Sequence, residues 1–156
     1  MKKMFTLLLA SLFIIRVVSA QNATEFHKKQ FHLDDSGLAI KGYDPVSYFT
    51  AHKAKEGEKD ITLVTEGITY RFTSAQNRDL FKANPAKYQP QYGGWCAYAM
   101  GATGEKVDID PGTFKVLDDR LYLFFNKFFN NTKKSWDKDE SNLKRKADAN
   151  WAKITQ

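Results

Sequence analysis

The order of apolar and polar positions divides this chain into recognisable segments. Asp60-Ile-Thr-Leu-Val-Thr65 and Ile68-Thr-Tyr-Arg-Phe-Thr73 alternate with the two-residue period of a strand, and Glu66-Gly67 between them supplies a turn. They predict a β-hairpin with Ile68, Tyr70 and Phe72 on one face. Thr113 to Leu117 and Leu121 to Phe125 flank Asp118-Asp-Arg120 and predict a second hairpin. Its second strand is apolar on both faces, Leu121, Leu123 and Phe125 on one and Tyr122 and Phe124 on the other, as an inner strand would be. Ser74 reads as the N-cap of a helix of about a dozen residues that turns Leu80 and Phe81 toward the core and is interrupted or ended by Asn84-Pro85 before Tyr88. Upstream, Leu38 to Phe49 reads as a short strand leading into a short helix, with Asp44 as cap and Pro45 at the first helical position. From Asn126 the pattern turns helical. Phe128, Phe129 and Trp136 serve a first segment, and Leu143, Ala147, Trp151 and Ile154 recur along a second. The expected fold class is α+β: a small antiparallel sheet from two β-hairpins with short helices and a C-terminal amphipathic helix.

Residues 1–20 fit a secretory signal: Lys2 and Lys3, then the apolar stretch from Phe5 to Ile15, then the small residues Ser19 and Ala20. That stretch is too short to span a bilayer stably. The chain is therefore expected to be periplasmic or secreted, with no membrane insertion once the signal is removed. Residues 21–36 are polar and mixed, a flexible leader carrying His27 and His32, which read as surface histidines. Residues 37–156 form one domain, long enough for a real core. Without the signal, which holds Lys2, Lys3 and Arg16 and no acid, the formal charge falls from +6 to +3. The remaining cations are interleaved with acids, which argues against a nucleic-acid partner. The Asn-x-Thr triplets at Asn22 and Asn130 match a glycosylation pattern that matters only in a eukaryotic secretory path.

The single cysteine sits in the densest chemical segment, Gln91-Tyr-Gly-Gly-Trp-Cys-Ala-Tyr-Ala-Met100. One cysteine cannot form an internal disulfide, so in an oxidising compartment Cys96 is buried, metal-bound, reactive or paired with another molecule. If a helix starts behind Gly93 and Gly94, Cys96 and Met100 lie four apart on one face, and a thiolate with a thioether suits Cu(I). The plainer alternative makes both residues core fillers. Asp108-Ile-Asp-Pro111 reads as a carboxylate-rich turn; most positions of a calcium loop are missing. No catalytic constellation emerges. His27, His32 and His52 are remote in sequence from Cys96, and no phosphate loop, nucleotide fingerprint or serine nucleophile motif is present.

Gly42-Tyr-Asp-Pro-Val-Ser-Tyr-Phe49, Tyr70-Arg-Phe-Thr-Ser74, Arg78-Asp-Leu-Phe81, Asn84-Pro-Ala-Lys-Tyr88 and Tyr92-Gly-Gly-Trp-Cys-Ala-Tyr98 together resemble the YHS domain family, over most of the chain beyond the signal. The exported, stand-alone bacterial members look most alike. Other YHS domains are attached to copper-transporting ATPases and oxygenase components, so the resemblance implies a metal-associated role. The metal-linked modules carry cysteines where this chain has Ser47, Thr73 and Asn77, and no histidine lies between Tyr70 and Ser74. The family's thiolate set is thus not carried over. His52 follows the segment whose counterpart lies near the metal site in those modules.

Three functions remain open on sequence. The first is an exported, non-enzymatic binding module for a soft metal ion such as copper or a small ligand, with Cys96 and Met100 as metal ligands and Tyr92, Trp95, Tyr98 and His52 lining the site. The second is a redox protein using the Cys96 thiol. The third is an interaction domain whose aromatic patch meets a protein partner.

Overall fold

The computed structural model describes residues 25–156 apart from His27. The signal sequence, the start of the leader, His27 and the Asn22 triplet lie outside the described residues.

Both alternating stretches form antiparallel hairpins. Strand β1 (Glu58–Thr65) pairs with β2 (Ile68–Phe72), and β3 (Asp110–Leu117) with β4 (Arg120–Phe124). Ile68, Tyr70 and Phe72 point inward and are fully buried. Asp118 and Asp119 take the second turn with φ of 50° and 57°, a left-handed pair that Asp tolerates better than most residues. The hairpins do not merge into one sheet: among the described residues there are three two-stranded sheets. Single parallel bridges, Leu38 to Thr69 and Pro90 to Leu121, fasten neighbouring segments to them. The fold is α+β.

Short helices fill the connections: α1 (Ser47–Thr50), α2 (Ala75–Ala83), α3 (Pro85–Tyr88), α4 (Ala97–Ala102), α5 (Thr132–Trp136) and the longer α6 (Glu140–Ile154). Ser74 caps α2 as expected, its hydroxyl accepting the Asn77 N–H at 3.1 Å. Asn84 then ends α2 and caps α3, with Pro85 in the first turn where no N–H is needed. Of the two apolar residues assigned to the core side of α2, Phe81 is buried and Leu80 is 38% exposed. Successive helical residues point about 100° apart, and the helix turns the larger ring inward.

The helical reading from Asn126 is overturned. Asn126–Lys127 and Asn130–Asn131 form a third hairpin, β5 and β6, closed by Phe128 and Phe129 with φ of 54° and 62°. Both rings are exposed. Thr132 locks the hairpin from behind: its N–H and its hydroxyl both donate to the Phe125 carbonyl, at 3.0 and 2.9 Å. Helix α5 starts only there, capped by the Asn131 side chain, and its Trp136 is buried as expected. Asn131 thus serves a strand and a helix cap at once.

Among the described residues two apolar clusters make up the interior, and β4 is the wall between them. Leu121 and Leu123 face the first cluster with Ile40, Val46, Tyr48, Ile68, Tyr70, Phe72 and Phe81. Tyr122 and Phe124 face the second with Tyr92, Met100, Trp136, Leu143 and Ala147. This explains a strand that is apolar on both faces yet, among the described residues, is laddered to β3 with only a single bridge to Pro90 on its other edge: it is buried by packing on either side. Trp151 and Ile154 of α6 pack on the second cluster, completing the predicted amphipathic face.

Candidate functional site

The segment from Tyr92 to Met100 begins and ends in the second core and turns Cys96 into the first, and this path decides what its side chains can do. Tyr92 and Gly93 have φ of 56° and 61°, and Gly94 has 86°. This left-handed run turns the chain sharply before α4. A Cβ at Gly93 would sit 2.8 Å from the Trp151 ring and 3.1 Å from the Gln30 carbonyl, so only glycine fits between α6 and the leader. The described part of that leader is hydrogen-bonded here: His32 N–H donates to the Gly93 carbonyl at 2.8 Å, and Trp95 Nε1–H to the Gln30 carbonyl at 2.7 Å.

Cys96 is the N-cap of α4 rather than a residue inside it, with φ of −58° and ψ of 115°. Its side chain therefore leaves the helical face that carries Met100. Cys96 packs in the first cluster and Met100 in the second, both fully buried. The Cys96 sulfur has its own partners, the Thr132 hydroxyl and the Phe125 N–H, each at 3.4 Å. Tyr92 is buried too, and its hydroxyl donates to Asp148 of α6 at 2.9 Å. Of the residues chosen to line a site, Trp95 and Tyr98 are half-buried, and His52 stands exposed at a left-handed turn with φ of 50°. Among the described residues, no group of three or more His, Cys, Asp and Glu is placed to hold a metal ion.

The sequence marks Asp44 as a helix cap, and it does more. Its carboxylate is fully buried and accepts five hydrogen bonds. Oδ1 takes the N–H groups of Val46 (2.8 Å) and Ser47 (3.3 Å); Oδ2 takes the Thr73 N–H (2.8 Å), the Thr73 hydroxyl (2.7 Å) and the Asn77 amide (2.7 Å). The Ser47 hydroxyl donates to the backbone carbonyls of Asp44 and Lys53. Ser47, Thr73 and Asn77, the three positions where the resemblance would have put thiolates, thus gather round one carboxylate. With hard oxygen and nitrogen groups already satisfied by one another, this knot fastens the end of the first hairpin to α1 and α2.

A second polar cluster lies on the surface beside Trp95. His32 Nε2 is 3.1 Å from Asp108 Oδ1, Lys41 Nζ 2.7 Å from the same oxygen, and Lys127 Nζ 3.0 Å from Oδ2. Burial pushes the Asp108 carboxyl up, but hydrogen bonds from Lys41, Lys127 and the Ile109 N–H outweigh it and hold the group well below the usual carboxylate range. His32 is not the simple surface histidine expected. Partial burial lowers its pKa, against the opposing pull of Asp108. Its ring lies 4.4 Å from that of Trp95, and the Lys106 ammonium stands 5.9 Å from the Trp95 ring centre. Lys106 also bonds the Gln30 side chain at 2.8 Å. The signal for this cluster in the sequence is His32 set between Phe31 and Leu33.

Two open grooves flank the β3–β4 turn. One lies between Leu117, Asp118 and the Glu140 to Asp148 side of α6, the other between Lys87, Gln91 and Arg120. Neither is lined by Cys96, Trp95 or Tyr98, and both carry mixed charge. Among the described residues no helix is long and apolar enough to cross a membrane. Compared with family models, curated proteins and solved structures, the chain finds no match.

Proposed function

We propose that this chain is an exported, non-enzymatic binding domain of YHS type whose ligand is an anionic group, taken at the face around Trp95 rather than as a soft metal at Cys96. The observation that carries the reading is the charge around that ring. Lys106 stands over the half-exposed Trp95, and Lys41 and Lys127 gather on Asp108 beside His32, the ring against Trp95, so that two of the three ammonium groups already hold that carboxylate. Ammonium groups with spare donors beside an aromatic face suit phosphate or carboxylate groups. For Cys96 the geometry favours a structural role: a buried sulfur bonded to Thr132 and Phe125 is neither open to a partner thiol nor joined by Met100. An exported location rests on the signal-like first 20 residues.

The test is a titration of the chain from Gln21 onward with inorganic phosphate, followed by amide and indole NMR shifts. Saturable movement of the Trp95 indole, His32 and Lys106 signals is expected, weakened several-fold by Lys106→Ala. An anaerobic Cu(I) titration runs beside it. One-to-one Cu(I) binding abolished by Cys96→Ser, with phosphate moving nothing, would overturn the reading in favour of a metal module. A thiol reagent is expected to label Cys96 only on the timescale of unfolding; fast labelling of the native protein would revive the redox alternative.

A further inference from the structure

The third hairpin carries the feature that the binding reading leaves unexplained. Phe128 and Phe129 are the two central residues of a two-residue turn, and both hold φ in the left-handed region. Such turns strongly prefer Asn-Gly or Gly-Gly, because a Cβ crowds the backbone there and a bulky ring gains nothing in return. Here the strained positions hold two of the most apolar side chains of the molecule, and both are solvent-exposed, at 90% and 111% of full accessibility. Local backbone preference, burial and solubility all argue against phenylalanine at these two positions. Among the described residues nothing covers the rings.

We propose that this tip seats the domain on an anionic bilayer surface, the two rings entering the boundary between headgroups and acyl chains while the lysines around them meet lipid phosphates. The proposal rests on the reading of the neighbouring face as an anion-binding one. Shape and charge choose the occupant. The rings stand at the end of a hairpin, a convex projection rather than a groove, which suits a soft interface that closes around it. Residues 126–134 contain three lysines and no acid. Lys127 immediately precedes the rings and shares Asp108 with Lys41, Lys106 lies beyond Trp95 on the same cluster, and Lys134 is exposed just after the hairpin. The carboxylates beside the hairpin are both engaged: Asp108 by Lys41, Lys127 and His32, and Asp110 by the Gly112 N–H, the Thr113 hydroxyl and the Asn126 amide. Lys133 is paired with Asp137. A pair of rings with a few basic residues gives reversible attachment, since apolar insertion and phosphate attraction each supply only part of the affinity.

The experiment is co-sedimentation of the chain from Gln21 onward with vesicles of phosphatidylglycerol and phosphatidylcholine, and with phosphatidylcholine alone. Binding to the anionic vesicles is expected, weakened by salt and weaker by about tenfold on neutral ones. The deciding variant is Phe128→Asn with Phe129→Gly. It installs the residues this turn prefers, so the hairpin is kept or strengthened while the rings are lost, and anionic binding should fall by about tenfold or more. Equal binding by variant and wild type overturns the proposal, as does a wild type that ignores both vesicles, which would leave the rings to a protein partner. The phosphate titration separates the two ideas. Phosphate shifts at Trp95 without vesicle binding would sink the membrane surface and keep the anion site, whereas loss of both would remove the reading beneath it.

Discussion

At the scale of single residues, the chain invests most in Asp44. A fully buried carboxylate is tolerated only where donors replace its lost water, and five N–H, O–H and amide groups do so here, with no ammonium or guanidinium among them. The donors come from two stretches about thirty residues apart in sequence, so the bonds close a tertiary loop rather than merely cap a helix. Asp44→Asn is nearly isosteric but turns an amide N–H₂ toward one of the two donor groups. It is expected to lower the unfolding free energy by about 3 kcal/mol or more, because charge-assisted bonds are lost and donors are left facing donors. Thr73→Val removes one hydroxyl and leaves the carboxylate four bonds, and should cost about 1 kcal/mol. Urea unfolding of both variants checks the ratio. A midpoint for Asp44→Asn equal to wild type would show that the knot does not fasten the hairpin.

Elements were legible where one local rule acted alone. Alternation marked Ile68, Tyr70 and Phe72, and all three are buried. Ser74, Asn84 and Pro85 punctuate α2 and α3 where their chemistry said they would. Leu143, Ala147, Trp151 and Ile154, the positions that recur along α6, all pack in the second core. Legibility failed where tertiary packing chose between local rules. Cys96 and Met100 have helical spacing, but the helix begins one residue after Cys96, so a spacing argument placed on one face two sulfurs that belong to different cores. Phe128 and Phe129 read as helical apolar positions because no sequence rule expects phenylalanine in a left-handed turn; holding two residues there costs about 1–2 kcal/mol each. The packing of α4 on α6 was equally hidden. A Cβ on Gly101 would lie 2.5 Å from the Leu143 carbonyl oxygen, backbone against backbone. Helix propensity alone predicts that Gly101→Ala stabilises by about 1 kcal/mol. Forcing the two helices apart costs about 1–3 kcal/mol in a packed interior and should win, so the net change is expected to be destabilising. Thermal unfolding reads the sign directly, and a rise in Tm would mean that α6 shifts freely on α4.

For the molecule as a whole, the question is whether two cores sharing one wall behave as one cooperative unit. Each core contains buried phenols, Tyr48 and Tyr70 in the first and Tyr92 and Tyr122 in the second. Burial pushes all four upward, Tyr122 to about 12 and the other three further; the bond to Asp148 adds to this at Tyr92. The Tyr122 hydroxyl has no hydrogen-bond partner among the described residues, so a charge placed on it would be especially poorly solvated. A folded pKa above the unfolded value means that the stabilisation is complete below about pH 10, where unfolded tyrosine titrates, and is lost as pH rises toward the folded values. Alkali should therefore unfold the protein from about pH 10 upward, with buried phenols ionising on unfolding rather than before it. Leu121 and Leu123 on one face of β4 and Tyr122 and Phe124 on the other are alternate residues of a single strand, so neither core can open without disturbing the wall of the other. Tyrosinate absorbance and far-ultraviolet circular dichroism are accordingly expected to change in one coincident transition. Two separated steps, the second-core variant Tyr122→Phe moving only one of them, would mean that β4 divides the molecule into independent halves instead of joining them.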